Sequence, residues 1–257
     1  MIYRGLFAEW YDLFHAQKDY EREAAFVQQL LQEHGRPPVR RVLEIACGSG
    51  KHAFALEKKG YEITGVDQSE DMVARARQQA GVFGSRATFL RQDMRSLDLA
   101  HARFDAATCL FDSIGYVVTN EALEQTLDRV GQHLCPGGLF LVEFWHGPAM
   151  MLHHDPVRVR RWNIPEGELL RISETSLDHA RQLSRVKYSV IQLKHDNRYA
   201  TCSEEHVNRY FSVPEMAGWL TRYDFDPVKW LAGFQWDETI TSQTWHVLVV
   251  ARKRGRA

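Results

Sequence analysis

The sequence has few of the features that mark metalloproteins, secreted proteins or membrane proteins. Its four cysteines, Cys47, Cys109, Cys135 and Cys202, show no C-x-x-C spacing and no accompanying histidine pattern, so reduced thiols are expected and a zinc site is not. No apolar run reaches the roughly 18 residues that cross a membrane. The first residues also lack the continuous apolar stretch of a secretion signal. These absences predict a cytoplasmic chain with no metal and no membrane partner.

The sequence also lacks an excess of charge of either sign. The formal net charge is −1 over 257 residues, so there is no broad attraction to nucleic acid or to an anionic membrane. Two local basic clusters, at 158–161 and 252–256, are predicted to be one face of a strand and a solvated tail rather than phosphate sites. With 44% hydrophobic residues the chain can bury a substantial core, and a small-molecule partner is expected.

The most informative stretch that is present runs from Arg41 to His52. Residues 42–45 form an apolar run typical of a buried strand, and Gly48 and Gly50 follow in a turn whose backbone can approach a ligand closely. Glu44 lies inside the apolar run. A buried carboxylate is costly, so Glu44 is expected either to accept hydrogen bonds from the turn or to lie near a cationic ligand group.

Strands and helices alternate through the first 145 residues. A helix is predicted from Asp19 to His34, with Gly35 as its stop before Pro37. Strands are predicted at 41–46, 62–66, 87–91, 104–110 and 139–145, and helices at 51–60, 70–80 and 120–134. This alternation predicts an α/β fold with a doubly wound, mostly parallel sheet, in which ligands bind at the carboxyl ends of the strands.

The glycine turn alone does not decide between cofactors. Gly-Ser-Gly followed by an acid at Asp67 also fits dinucleotide binding. Taken with Gln92-Asp93-Met94 and Leu134-Cys-Pro-Gly-Gly138, however, the ordered set resembles the class I S-adenosylmethionine-dependent methyltransferases over residues 39–145. The resemblance implies a seven-stranded Rossmann-like sheet and S-adenosylmethionine as the cofactor. The residues that it assigns to the cofactor are Tyr11, Glu44, Ala46, Gly48, Gly50, Asp67, Gln68, Asp93, Met94 and Leu110.

The pattern changes after Trp145. Residues 157–161, 169–175 and 185–194 alternate in polarity without helices between them, which predicts antiparallel strands. Ser212-Val-Pro-Glu215 is a capping box that opens a helix to about 223, and strands near 226–231 and 244–251 would complete the main sheet. We therefore expect one α/β domain, 1–145 and 212–257, with an inserted antiparallel β subdomain at 146–211 that covers the acceptor site. Its edge strands offer a surface for a homodimer.

The methyl acceptor is indicated less directly. The aromatic opening at 7–14, the segment 112–123 and the end of the strand at Glu143-Phe-Trp145 resemble small-molecule and amino-sugar N-methyltransferases, although Phe144 and His146 depart from their pattern. The candidates for substrate contact are Phe111, Ser113, Tyr116, Trp145 and Arg209. The candidates for proton transfer or hydrogen bonding to the acceptor are His146, His206 and Tyr116.

Three alternatives remain open at the level of the sequence. An O-methyltransferase acting on a small hydroxylated metabolite is the nearest. A nicotinamide-dependent oxidoreductase would use the same strand, glycine turn and helix. A non-catalytic protein that binds S-adenosylmethionine would need the donor site but no acceptor cavity. The leading hypothesis is transfer of a methyl group to a nitrogen of an amino sugar or an amino-acid-like metabolite.

Overall fold

The computed structural model describes residues 2–35 and 38–255; Pro37 and Arg256 lie outside these ranges. Strands and helices alternate up to residue 145, as the periodicity predicts. The helices of this part are α1 (Gly5–Glu9), α2 (Tyr11–Phe14), α3 (Tyr20–His34), α4 (Lys51–Glu57), α5 (Glu70–Phe83) and α6 (Asn120–His133). The strands are β1 (Arg41–Ile45), β2 (Glu62–Asp67), β3 (Thr88–Arg91), β4 (Phe104–Cys109) and β5 (Leu134–Trp145).

After β5, the described part of the chain adds two helices and six strands. In chain order they are α7 (Gly147–His153), β6 (Val157–Ile164), β7 (Gly167–Asp178), β8 (Leu183–Lys194), β9 (Tyr199–Arg209), α8 (Val213–Arg222), β10 (Phe225–Ala232) and β11 (His246–Lys253). The predicted capping box opens α8: the Ser212 hydroxyl accepts from the Glu215 amide, and the Glu215 carboxylate accepts from the Ser212 amide.

The seven-stranded main sheet has the order β3-β2-β1-β4-β5-β11-β10. β1 pairs in parallel with both β2 and β4, so the strand order reverses between β1 and β4. β11 runs antiparallel to β5 and to β10, which confirms the predicted terminal antiparallel pair. Apolar clusters pack on both faces, around Leu30 and Leu56 on one and around Phe140 and Phe225 on the other. The crevice at the reversal is where open α/β sheets bind ligands.

A separate four-stranded antiparallel sheet has the order β6-β7-β8-β9. One face of this sheet packs on α1 and α2 through Phe7, Phe14, Leu169 and Val190. The sheet therefore covers the carboxyl ends of the parallel strands together with the N-terminal helices. Within the described ranges, no helix has the length and apolar character needed to cross a lipid bilayer.

The structure differs from the sequence prediction at several elements. The aromatic opening forms α1 and α2, the insertion begins with α7, and 199–209 is a strand; none of these elements was predicted. α4 ends at Glu57 rather than at residue 60. β5 begins at Leu134, ahead of the Pro-Gly-Gly turn, and its pairing with β4 shifts register before Leu139. The shift is the way in which the sheet accommodates that turn.

Candidate functional site

Two cavities lie side by side at the carboxyl ends of the parallel strands. The first, here called the glycine-turn cavity, follows β1, β2 and β3 and has a volume of about 350 Å³, which is in the range of small-molecule sites. The predicted cofactor residues that line it are Tyr11, Ala46, Gly48, Asp67, Gln68, Asp93 and Met94. Glu44 and Leu110 line a smaller pocket that adjoins it and shares Tyr11, Ala46 and Gly48.

Asp67 joins the end of β2 to the glycine turn. One carboxylate oxygen accepts from the Gly48 amide at 2.9 Å and the other accepts from the Ser69 amide at 2.8 Å. Gly48 has a φ of +55°, and a Cβ at this position would lie 3.4 Å from the Met72 methyl group. The turn is therefore held in a conformation that favours glycine, with its backbone open to the cavity.

Glu44 is buried at the end of the small pocket. Its Oε2 has no hydrogen-bond partner among the described residues, and His52 Nδ1 lies 3.9 Å from Oε1. Burial raises the pKa of Glu44 to about 8, and the charge of Asp67 adds to this effect. A buried carboxylate oxygen without a donor fits a cationic group such as the ammonium or sulfonium of S-adenosylmethionine.

Asp93 and Met94 behave differently from each other. The Asp93 carboxylate accepts from the backbone amide and from the guanidinium of Arg95, at 2.9 Å to Nε, and these hydrogen bonds lower its pKa. It begins the short 3-10 turn at 94–96. Asp93 therefore has a structural role in this turn besides lining the cavity, whereas the partly buried Met94 packs against the apolar cluster around Phe140 and lines the cavity.

The second cavity, here called the roof cavity, has a volume of about 440 Å³. It lies between the inner face of the antiparallel sheet and the segments that follow β4 and β5. Predicted substrate residues Phe111, Tyr116 and Trp145 line it, as does His206. Ser113 lines the glycine-turn cavity instead. Tyr3, Phe111 and Tyr116 line both cavities, so these three side chains form the wall between them.

A chain of hydrogen bonds crosses this wall. The Tyr3 and Tyr116 hydroxyls are 2.6 Å apart, the Tyr116 hydroxyl is 2.9 Å from His206 Nδ1, and His206 Nε2 is 3.0 Å from Glu204 Oε2. Glu204 also accepts from the backbone amides of Tyr3 and Arg4. The arrangement fits a neutral His206 that donates from Nε2 to Glu204 and accepts at Nδ1 from Tyr116.

Charges along this chain are fixed by its surroundings. Burial raises the pKa values of Tyr3 and Tyr116 well above the ordinary tyrosine range, so both hydroxyls stay protonated. Burial alone would also raise the pKa of Glu204, but the hydrogen bonds from His206, Arg4 and Tyr3 lower it overall. This series of hydrogen bonds therefore ends at the Glu204 carboxylate, which can stabilise a positive charge on the His206 ring.

A second cluster of polar side chains, Glu143, Asp112 and His246, holds Phe111 at the wall. The Phe111 amide donates to Glu143 Oε2 at 2.5 Å, and His246 Nδ1 lies 2.8 Å from Asp112 Oδ2 and 3.5 Å from Glu143 Oε1. Asp112 raises the pKa of His246 to about 9, and burial raises that of Glu143 to about 7. His246 thus lies against two buried acids, Asp112 and Glu143, whose contacts position the segment after β4.

Three predicted site residues line neither the two cavities nor the small adjoining pocket. The His146 ring faces the Thr244 carbonyl oxygen, 3.2 Å from Nδ1. The Arg209 guanidinium donates to Glu215 at 2.6 Å and to Asn120 at 2.8 Å, which ties β9 to α8 and α6. Gly50 has a φ of +82°, and a Cβ there would lie 2.9 Å from the Phe89 ring. Each of the three is held by packing or hydrogen bonds within the protein.

Several residues of the site were not found from the sequence. Glu143 was detectable by the signal that found Glu44, an acid within an apolar strand, and Asp112 follows the same strand end as Phe111. Tyr3 and Glu204 carried no local signal, because their contact joins segments 201 residues apart. The carboxylates of Glu143 and Asp112 were therefore accessible from the sequence pattern, and the contact between Tyr3 and Glu204 was not.

Comparison with known proteins agrees with this geometry. A methyltransferase domain model matches residues 42–138. The dTDP-3-amino-3,6-dideoxy-alpha-D-glucopyranose N,N-dimethyltransferase of Streptomyces fradiae is 38% identical over 57% of this chain, an alignment that spans 56% of that relative's length. Two solved structures superpose on nearly the whole chain.

The S-adenosylmethionine-dependent methyltransferase of Clostridium acetobutylicum ATCC 824 superposes with a TM-score of 0.84 over 97% of this chain and 98% of that one, at 21% identity, which is a likeness of fold. DesVI of Streptomyces venezuelae superposes with a TM-score of 0.78 at 25% identity over 96% of this chain and 99% of that one. The strand order, the glycine turn with its two acids and these similarities together identify a methyltransferase domain at residues 42–138, in a chain that is similar to S-adenosylmethionine-dependent methyltransferases and to N-methyltransferases of amino sugars.

Proposed function

We propose that the chain transfers a methyl group from S-adenosylmethionine to a nitrogen of a small amine, of the amino-sugar or amino-acid-like class. The observation that carries the proposal is the shared wall of Tyr3, Phe111 and Tyr116 between two adjacent cavities. One cavity has the acids suited to the donor and the other is large enough for a small acceptor. The N,N-dimethyltransferases of amino sugars among the similar proteins support nitrogen as the acceptor atom.

The donor would occupy the glycine-turn cavity and its adjoining pocket. Asp67 is assigned to the ribose hydroxyls, Met94 to the adenine, and Glu44 to the cationic methionyl end. When bound, S-adenosylmethionine would supply the methyl group of its sulfonium. The lone pair of the acceptor nitrogen would form the new C–N bond, and the sulfur would keep the electron pair of the broken S–CH₃ bond. The wall residues then have the task of aligning the amine with that methyl group, and alignment of this kind contributes on the order of 7–11 kcal/mol in favourable cases.

The chain's own groups can also remove the proton that an ammonium acceptor carries. In this mechanism the amine gives its proton to the Tyr116 oxygen while the Tyr116 proton passes to His206 Nδ1, 2.9 Å away. The imidazolium that forms is stabilised by Glu204. No tyrosinate is required, which agrees with the raised pKa of Tyr116.

The same features favour nitrogen over a hydroxyl oxygen. A hydroxyl acceptor has a much higher pKa than an ammonium, so it needs a stronger base than a neutral histidine acting through a tyrosine. One experiment tests the identity of the acceptor. It also tests the two rival hypotheses, a nicotinamide-dependent oxidoreductase and a non-catalytic binding protein.

That experiment incubates the purified chain with S-adenosylmethionine and a panel of small amines and matched alcohols, including 3-amino sugars and their hydroxyl counterparts. We expect an amine to gain one or two methyl groups by mass spectrometry, with release of S-adenosylhomocysteine. Calorimetry with S-adenosylhomocysteine and with NAD accompanies it. Methylation of alcohols alone, or binding of NAD without binding of S-adenosylhomocysteine, would overturn the proposal.

Replacing Glu44 with glutamine should weaken binding of S-adenosylhomocysteine by about 10- to 100-fold, because a charge-assisted hydrogen bond to the ligand ammonium is lost. Since the pKa of Glu44 is raised to about 8, the wild-type carboxyl is mostly neutral at low pH. Affinity should therefore rise as pH increases from about 6 to 8, and this rise should be absent in Glu44→Gln. Titration calorimetry across that range, with the exposed Glu62→Gln as control, measures both effects.

Two further expectations belong with this proposal. All four cysteines are free thiols, which suits the reducing conditions of the cytoplasm. The expected homodimer stays a prediction, which light scattering at several protein concentrations would test.

A further inference from the structure

Three side chains of metal-ligating type converge where β5 and the segment after β4 meet the start of β11. They are Asp112, which follows β4, Glu143 near the end of β5, and His246, the first residue of β11. One ligand atom of each residue lies within 4.8 Å of the other two. Among the described residues, no other group of three histidines, cysteines or acids converges in this way.

The spacing of these atoms fits ligands of one cation. His246 Nδ1 is 2.8 Å from Asp112 Oδ2 and 3.5 Å from Glu143 Oε1. Nitrogen and oxygen ligands lie about 2.0–2.2 Å from a transition-metal ion, which places neighbouring ligands of a tetrahedral or octahedral site about 2.8–3.6 Å apart. The other Glu143 oxygen, Oε2, accepts from the Phe111 amide, so the backbone fixes the orientation of the carboxylate beside His246.

Hydrogen bonds within the protein leave this cluster unsatisfied. Asp112 has only 5% of its side chain exposed, and its Oδ1 has no hydrogen-bond partner among the described residues. His246 Nδ1 is buried as well, and its 2.8 Å contact with Asp112 lacks the alignment of a hydrogen bond. Buried polar atoms without partners are costly, and a bound ion is one of the ways in which proteins satisfy them.

The charge of the cluster suits a divalent cation. With a neutral imidazole, the three residues carry two negative charges. In the part of the chain that the structure describes, neither Asp112 nor Glu143 forms an ion pair with a lysine or an arginine. Lys18, whose charge acts on Glu143 and His246, is already paired with Glu23 at 2.6 Å. A divalent cation would therefore neutralise both buried acids.

We propose that Asp112, Glu143 and His246 form a binding site for one divalent transition-metal ion, such as Zn²⁺ or Mn²⁺. The imidazole nitrogen favours these ions over Ca²⁺ and Mg²⁺, which prefer oxygen ligands. The site departs from the sequence expectation of no metal, because its ligands lie in three separate segments and have no local spacing.

The position of this site connects it to the acceptor. Asp112 and His246 line the roof cavity, and Glu143 and His246 line a neighbouring cavity of about 680 Å³. A cation held by the three residues would lie between the two cavities. Because the protein supplies three ligands, the remaining coordination positions would be taken by water or by an oxygen of a molecule in the roof cavity.

The test measures metal binding on the full chain after treatment with EDTA, without donor or acceptor. Equilibrium dialysis of Zn²⁺, followed by metal analysis, gives the stoichiometry and the affinity for wild type, Asp112→Asn, His246→Gln and His154→Gln. We expect one Zn²⁺ at this site of the wild-type chain. Asp112→Asn and His246→Gln should weaken it by at least about 100-fold, because even groups that only orient a ligand contribute about 10- to 100-fold to metal affinity.

His154→Gln is the matched control, since His154 also lines the roof cavity but belongs to no such cluster. Its Zn²⁺ affinity should stay within about twofold of wild type. Co²⁺ gives a second measurement, because its visible absorption reports its ligands: the absorption of the wild-type complex should be lost in His246→Gln and kept in His154→Gln.

Equal Zn²⁺ affinities of the four proteins, or a wild-type chain that binds no Zn²⁺, would overturn the site and leave an internal ion pair between Asp112 and His246. Thermal melts of the metal-free variants check folding. Asp112→Asn keeps the shape of the side chain, so it tests the site even where His246→Gln fails to fold. If Zn²⁺ binds as expected but no amine is methylated, the proposed function fails and the metal site stands.

Discussion

Asp67→Ala is expected to weaken binding of S-adenosylhomocysteine by at least about 100-fold, since two hydrogen bonds from the ribose to a charged acceptor are each worth about 1.5–3 kcal/mol. The same carboxylate fixes the Gly48 amide at 2.9 Å, so its removal also loosens the glycine turn. Loss of binding should not reflect loss of folding. Burial raises the pKa of Asp67, which means that the folded state holds this charge at a cost. Calorimetry together with a thermal melt of the unliganded variant measures the two effects separately.

Asp93→Ala is the matched control for this prediction. Asp67 is the last residue of β2 and Asp93 lies just beyond β3, and both line the glycine-turn cavity, but the Asp93 carboxylate is already hydrogen-bonded to the Arg95 guanidinium. We expect its loss to weaken binding by no more than about tenfold, in keeping with one hydrogen bond that is partly exposed to solvent. A reversed order, with Asp93→Ala the more damaging, would show that the ribose is not held by Asp67.

The main sheet was predictable because its signals are local. Each parallel strand is a short apolar run closed by a turn, and each acid of the glycine-turn cavity follows such a run by one or two residues. Glu44 could be singled out since a carboxylate inside an apolar strand is expensive to bury. The capping box at Ser212 and Glu215 likewise needs only four residues. In these cases the chemistry that determines the structure lies within one turn or strand.

The covering elements were harder to predict for physical reasons. α1 and α2 have five and four residues, which is too short for a helical period to appear, so no helix was predicted in the aromatic opening. β9 contains Glu204, Glu205 and His206 and is stabilised by pairing with β8 rather than by an apolar pattern of its own. His146 was predicted near the acceptor because it follows the end of a strand. That position does not tell in which direction the ring points, and the ring faces the Thr244 carbonyl oxygen.

The acceptor site depends on contacts between distant segments. Tyr116 reaches His206 across 90 residues, and Glu204 is held by amides near the N-terminus. Residue types in this region could be predicted as candidates, as His206 and Tyr116 were, but their connection into one hydrogen-bond chain follows from tertiary packing.

His206→Ala is expected to lower kcat for amine methylation by about 100-fold or more at neutral pH, since proton transfer by a positioned side chain typically contributes 10²–10⁴-fold. The reason is that the variant removes the group that takes the Tyr116 proton. Binding of S-adenosylhomocysteine should stay within about twofold of wild type, because His206 does not line the glycine-turn cavity. Initial rates of S-adenosylhomocysteine release, measured at saturating amine, give the effect on kcat.

The pH dependence distinguishes a proton acceptor from a residue that merely supports the wall. Raising the pH supplies unprotonated amine from solution, so the rate of His206→Ala should climb toward that of wild type as the amine's own pKa is passed. Tyr116→Phe, which keeps the ring at the wall but breaks the hydrogen bond to His206 Nδ1, should behave in the same way. His146→Ala is the control, because its ring faces the Thr244 carbonyl oxygen outside both cavities, and it should retain the wild-type kcat and pH profile. If His206→Ala stays slow at every pH, or if His146→Ala reproduces its profile, then removal of the ammonium proton does not pass through Tyr116 and His206.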